Sequence, residues 1–204
     1  MAVEEWLTAL AGSPWALPVL FVVVAADAFL VVVPGETAVT ALGALAVSTG
    51  AVPLAAVIAV GAAAAFVGDA CCYAVGRTVG LSRWAWMRQR RVQAVFGWAR
   101  AQLGSRTAVV VFTARFIPFA RLAVNLVAGS VRLPAPRYLG IAAVAALGWS
   151  AYQAIIGAIV GSLLPDAPIV AVIVSIAVAI LFGAVLDAVA SRVTARTREG
   201  SPDG

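Results

Sequence analysis

The amino-acid sequence predicts an all-α polytopic membrane protein: an inverted repeat of a re-entrant helical hairpin plus a transmembrane helix, with an additional C-terminal transmembrane helix. Three observations carry this reading. Of the 204 residues, 63% are hydrophobic, against about 45–50% in soluble domains, and apolar runs of about 20 residues, enough to cross a bilayer core, recur along the chain. Apart from Arg115 and Arg121, the basic residues, all Arg, fall into three groups: Arg77 to Arg106, Arg132 with Arg137, and Arg192, Arg196 and Arg198. Two apolar segments are interrupted by Pro and by charges.

The elements follow in order. Glu4 and Glu5 stand where a secretory signal peptide needs positive charge, so the apolar N-terminal region is expected to remain in the mature protein. The apolar run from Leu17 breaks at Pro34-Gly35-Glu36 and resumes to Val47, giving a first re-entrant hairpin over 17–47. Residues 54–76 form a span of 23 residues, about 34 Å as a helix, which ends at Arg77. The positive-inside rule places all three Arg groups in the cytoplasm. Residues 82–102 mix Trp84, Trp86, Phe96 and Trp98 with arginines, the pattern of helices on the cytoplasmic membrane surface. Between Arg106 and Arg132 the chain must leave that face and return within 25 residues, too few for two crossings. A second re-entrant hairpin over 107–131, broken at Pro118, fits. Spans over 138–163 and 169–191 follow, joined by an external turn at Pro165, Asp166 and Pro168, and residues 192–204 form a cytoplasmic polar tail. A hairpin then a span, twice and in opposite orientation, is a transporter pattern. The other reading of residues 17–47 is a single kinked crossing.

Composition also excludes. The chain has no His, so a Ser–His protease lacks its base and an HExxH metalloprotease its ligands. Asp69 follows Phe66-Val67-Gly68 rather than the Gly-x-Gly of paired-Asp intramembrane proteases. Cys71 and Cys72 are adjacent, a poor geometry for a disulfide and too few ligands for a metal site. The chain therefore reads as a non-enzyme with no cofactor and no metal centre. Basic runs in so apolar a sequence point to membrane lipids, not to nucleic acid; nothing in the sequence speaks against a homo-oligomer.

Asp27, Glu36, Asp69, Arg115 and Arg121 lie in or beside membrane segments, where a charge costs about 2.5–3.5 kcal/mol on insertion scales. The first hairpin carries carboxylates and the second guanidiniums, so meeting hairpin tips would bring opposite charges together. Arg115 and Arg121 are the candidates to bind an anionic group, since Arg presents a planar fork of donors to phosphate. Glu36 and Asp27 are the candidates for proton coupling or gating, because a desolvated carboxylate takes up a proton more readily. Asp69, Tyr73 and Arg77 recur at i, i+4 and i+8, one helix face, and read as a pathway mouth or a structural pair. Pro34, Gly35 and Pro118 are the hairpin breaks.

The same residues carry a family resemblance. Pro34-Gly35-Glu36 with Ala41-Leu42-Gly43-Ala44-Leu45-Ala46 and Gly50, then Gly68-Asp69-Ala70-Cys71-Cys72-Tyr73-Ala74-Val75-Gly76-Arg77, then Phe112-Thr113-Ala114-Arg115-Phe116-Ile117-Pro118-Phe119-Ala120-Arg121 with Ala128-Gly129, resemble three ordered blocks of the DedA family, which shares the VTT (SNARE-associated) domain. Gly148-Trp149 and Gly157 fit the span that follows. The chain departs from the family pattern in two places: Asp27 lies closer to Glu36 than the family's first acid does, and Asn125 and its neighbours stand where Pro often precedes the Ala-Gly pair. The resemblance implies a bacterial inner-membrane protein with facing re-entrant loops. Some members are similar to flippases for undecaprenyl phosphate; others move phospholipids or support proton-dependent homeostasis. The expected function is thus a flippase for a phosphate-bearing lipid, with protons as a coupling ion. The rivals are a proton-coupled transporter of a small soluble ion or solute, and a structural membrane protein whose charges form fixed pairs.

Overall fold

The structure, a computed structural model, describes residues 9, 12–30, 35–83, 85–116, 118–164, 167, 169–178 and 181. Every regular element among them is helical: α1 (Ala16–Asp27), α2 (Gly35–Ser48), α3 (Leu54–Thr78), a 3-10 turn (Ala85–Arg88), α4 (Arg90–Thr113), a second 3-10 turn (Ala114–Phe116), α5 (Pro118–Ser130) and α6 (Ala135–Leu163), with a short α7 (Ile169–Val178). Helices α3 and α6 are long and apolar enough to cross a membrane. Helices α1, α2 and α5 are only about 18–21 Å long at 1.5 Å per residue, short of a bilayer core of about 30 Å. Of the expected span 169–191, α7 and Leu181 are described. Pro34, Pro165, Asp166, Pro168 and the tail 192–204 lie outside the described residues.

The two long helices cross antiparallel. At one end the Ser150 hydroxyl donates to the Ile58 carbonyl (2.9 Å); towards the other, the rings of Tyr73 and Tyr138 stack with centroids 4.5 Å apart. The short helices pack along this pair, α5 on α3 and α2 on α6. Both contacts are backbone to backbone. A Cβ on Gly76 would collide with the Leu126 carbonyl, and one on Gly129 with the Tyr73 carbonyl; Gly157 meets Thr40 and Ala44 of α2 in the same way. The numbering rises together from Asp69–Arg121 to Arg77–Gly129 and from Thr40–Gln153 to Ala44–Gly161, so each short helix runs parallel to its long partner. Small residues at such crossings let helices approach where hydrocarbon solvent supplies no hydrophobic drive. Helix α1 rests on α3, with Gly68 against Ala25 and Ala28.

The boundary expected between a surface segment 82–102 and a second hairpin starting at 107 falls inside α4, which is continuous from Arg90 to Thr113. The physical cause is an unbroken stripe. Phe96, Ala99, Leu103, Thr107, Val110 and Ala114 recur at helical spacing and are all buried, and Gly104 costs only about 1 kcal/mol in a helix, too little to stop it. Arg90, Arg91 and Arg100 are exposed. Helix α5 ends in a Schellman motif: the Leu133 N–H reaches the Ala128 carbonyl and the Arg132 N–H the Gly129 carbonyl, with Arg132 in the left-handed region at φ 55°, where Gly is usual.

The bundle exposes large apolar side chains and buries several of its charges. Phe119, Val144 and Leu163 are about 70% exposed, while Asp69 and Arg115 are 3% exposed. Apolar side chains outside and charges inside are the arrangement that hydrocarbon solvent favours, since an ionised group facing lipid is costly and pairs inward instead.

Candidate functional site

Asp69 is the centre of the buried charges. It sits on α3 among small neighbours: Gly68 and Cys72 face the end of α1, and Gly76 lets α5 come close. Its Oδ1 accepts from Arg121 Nε at 2.9 Å and from Asn125 Nδ2 at 2.8 Å. Its Oδ2 accepts from Arg115 Nη2. Arg121 and Asn125 are one turn apart on α5, so a single helix face meets the carboxylate. Arg115 reaches it from the 3-10 turn that precedes α5. Arg121 also donates through Nη1 to Asp27 Oδ2 at 3.1 Å. One guanidinium thus bridges a carboxylate at the end of α1 to one in the middle of α3.

A second layer orients the first. The Tyr138 hydroxyl donates to Asn125 Oδ1 at 2.8 Å, which turns the Asn125 amide towards Asp69. Tyr138 in turn stacks on Tyr73. The Tyr73 hydroxyl donates to the Leu133 carbonyl and accepts from Arg77 Nη1 at 2.7 Å. Asp69, Tyr73 and Arg77 do share a helix face, as their spacing requires, but Asp69 and Arg77 engage different groups. Asp69 belongs to the arginine cluster. Tyr73 and Arg77 fasten α3 to the turn after α5.

Trp149, at the midpoint of α6 and 1% exposed, forms the floor. The guanidinium carbons of Arg115 and Arg121 lie 5.8 and 5.9 Å from the centroid of its ring, within cation–π range. Glu36, in the first turn of α2, is half-buried; its charged neighbours are Asp27 and Arg121, and its carboxylate is the acceptor that faces the Trp149 indole N–H. Gly35 packs directly on Asp27: a Cβ there would come within 2.9 Å of the Asp27 Cβ. Helix α2 can start beside that carboxylate only because residue 35 has no side chain.

Five sequence candidates therefore converge: Asp27, Glu36, Asp69, Arg115 and Arg121. Tyr73 stands one layer away and Arg77 beyond it. Pro118 opens α5, and Gly35 opens α2. Asn125, Tyr138 and Trp149 are functional candidates that charge alone did not reveal. Two signals could have found Asn125 and Trp149. Asn125 lies at i+4 from Arg121, and Trp149 stands mid-span, whereas membrane Trp is enriched at the interface. Of the adjacent cysteines, Cys72 is buried with its thiol towards the Ala28 carbonyl, and Cys71 is exposed. No group of His, Cys, Asp or Glu suited to a metal occurs among the described residues.

A helical membrane protein with a buried arginine–carboxylate cluster between its crossing helices is the class that this geometry defines. The VTT domain family model matches residues 33–159, most of the chain and nearly all of the cluster. The chain belongs to the VTT domain family, the domain of DedA family proteins. No curated protein and no solved structure matches it.

Proposed function

We propose that the protein is a transporter, not an enzyme, that moves a phosphate-bearing lipid, undecaprenyl phosphate or a phospholipid, across the bacterial inner membrane. One observation carries this. Arg115 and Arg121 are both buried, yet Nη1 of Arg115 and Nη2 of Arg121 have no hydrogen-bond partner among the described residues. A buried donor left without an acceptor costs about 1–3 kcal/mol. A phosphate oxyanion between the two forks would satisfy both donors with charge-assisted bonds.

The charge balance links loading to protons. The cluster holds two guanidiniums and three carboxylates, those of Asp69, Asp27 and Glu36. With every acid ionised it is already net negative, so an arriving anion is repelled until a carboxylate is protonated. Asp69 is held by three donors. Asp27 and Glu36, less enclosed, take the proton. Acidification therefore favours loading.

A groove of about 680 Å³ supports a lipid over a soluble ion. Phe29, Arg91, Val92, Phe96, Phe119 and Leu122 are among the residues that line it. Leu122 adjoins Arg121 and Phe29 is two residues from Asp27, so a hydrocarbon chain in the groove leaves its headgroup within reach of the cluster. In this reading α1–α2 and α4–α5 are two facing re-entrant hairpins of an inverted repeat. Each sends its second arm along the other repeat's span, and the arginine-rich segment and the C-terminus face the cytoplasm.

The rival with an observation behind it is a fixed structural lock, since Asp69 is fully engaged. Reconstituted vesicles separate the two. Flipping should be observed across a panel of polyprenyl phosphates and phospholipids, faster with an acidic loading side. No flipping of any phosphate-bearing lipid, with or without a pH gradient, would leave the lock.

A further inference from the structure

The stretch between Asp69 and Asp166 contains eleven of the fourteen arginines and no Asp or Glu. Arg115 and Arg121 turn inward, to Asp69 and Asp27. Arg88, Arg90, Arg91 and Arg100 are exposed and take part in no ion pair among the described residues. Arg91 also lines the apolar groove that α4 and α5 form with Phe29, and so does Gln89, whose side chain does not cap α4. Both are exposed, whereas Phe96 and Ala123 in the same groove are 3% exposed. The groove thus joins an outward cation and amide to a buried apolar wall. A soluble anion would leave the wall unused, and a neutral hydrocarbon would leave the arginine unused.

We propose that the groove is a binding site for an anionic phospholipid of the surrounding membrane, separate from the buried cluster, with the headgroup phosphate on Arg91 and Gln89 and an acyl chain against Phe96 and Phe119. The guanidinium fork matches two phosphate oxygens, and the Gln89 amide can donate to a third. Net charge sets the preference. A zwitterionic headgroup carries its own ammonium, which would lie beside arginines that no local carboxylate neutralises; an anionic headgroup meets only attraction, as basic segments at a membrane surface do. The same groove passes Leu122, the neighbour of Arg121, so a lipid held first at Arg91 is already on the way to the cluster. That it loads the transporter rests on the reading above; that it binds the lipid does not.

The test is photo-crosslinking of the full-length protein in vesicles of phosphatidylcholine with a minority of phosphatidylglycerol of identical chains. One protein carries Phe119→p-benzoylphenylalanine, in the groove and 69% exposed; a control carries Val144→p-benzoylphenylalanine, 70% exposed on α6. Lipid adducts are counted by intact mass. Phosphatidylglycerol should be over-represented about fivefold at residue 119 relative to residue 144, as expected for one arginine at an anionic surface. Adding Arg91→Gln should bring residue 119 down to the level of residue 144. The comparison of the two sites needs no Arg91 variant to fold, and each ratio is internal to its sample. Equal phosphatidylglycerol content at both sites, an undiminished excess at residue 119 in Arg91→Gln, or a protein–protein adduct at residue 119 in place of lipid would each overturn the site. The adduct ratio needs no turnover, so a protein that flips nothing can pass this test and one that flips can fail it.

Discussion

Asp69 holds two guanidiniums and an amide with one carboxylate. Removing its charge leaves two arginines in a low-dielectric interior facing only Asp27 and Glu36. Breaking a buried pair from one side costs about 3–5 kcal/mol, so Asp69→Asn should lower the thermal unfolding midpoint in detergent strongly. Tyr138→Phe leaves Asn125 Oδ1 without its donor, a loss of about 1–3 kcal/mol, and should lower it less. Equal midpoints for Asp69→Asn and wild type would remove Asp69 from the centre of the cluster. At this scale the sequence showed which residues were costly and not which would meet. Arg115, Arg121 and Asp27 stood out because a charge in an apolar run is rare. Asp69 stood out too, but helix-local spacing tied it to Arg77, and spacing along one helix says nothing of what faces it from the next. Asn125, Tyr138 and Trp149 are uncharged, so their cost in the membrane is small and their signal faint.

At the scale of elements, the crossings depend on absent side chains. A methyl group on Gly76 or Gly129 would enter the backbone of the facing helix, whereas one on Gly97 in α4 meets nothing within 4 Å. Gly76→Ala should therefore force α3 from α5, disturb the Tyr73–Tyr138 stack and destabilise the fold. Gly97→Ala should stabilise it by about 0.5–1 kcal/mol through helix propensity alone. Unfolding midpoints moving in opposite directions would check both. The breaks at Gly35 and Pro118 were readable because Gly and Pro act locally. The continuity of α4 was not: the run of Arg, Trp and Gly reads as a surface segment, and the buried stripe from Phe96 to Ala114 becomes evident only once its period is followed through Gly104.

At the scale of the molecule, the solvent explains the arrangement. The apolar surface of α3 and α6 needs hydrocarbon outside, and the charges then turn to one another inside. Length and hydropathy made the two spans legible. The short helices were legible as breaks, but their packing, α2 along α6 and α5 along α3, depends on tertiary contacts between Gly and backbone that no single segment encodes. The central claim is that two buried forks present free donors to a lipid phosphate, and Arg121→Lys tests it most directly. Lysine keeps the positive charge near Asp69 and Asp27 but loses the planar fork. In proteoliposomes, the variant should fold and insert as the wild type does while flipping of a labelled phosphate-bearing lipid falls at least tenfold. Flipping at the wild-type rate in a folded Arg121→Lys protein would contradict the claim.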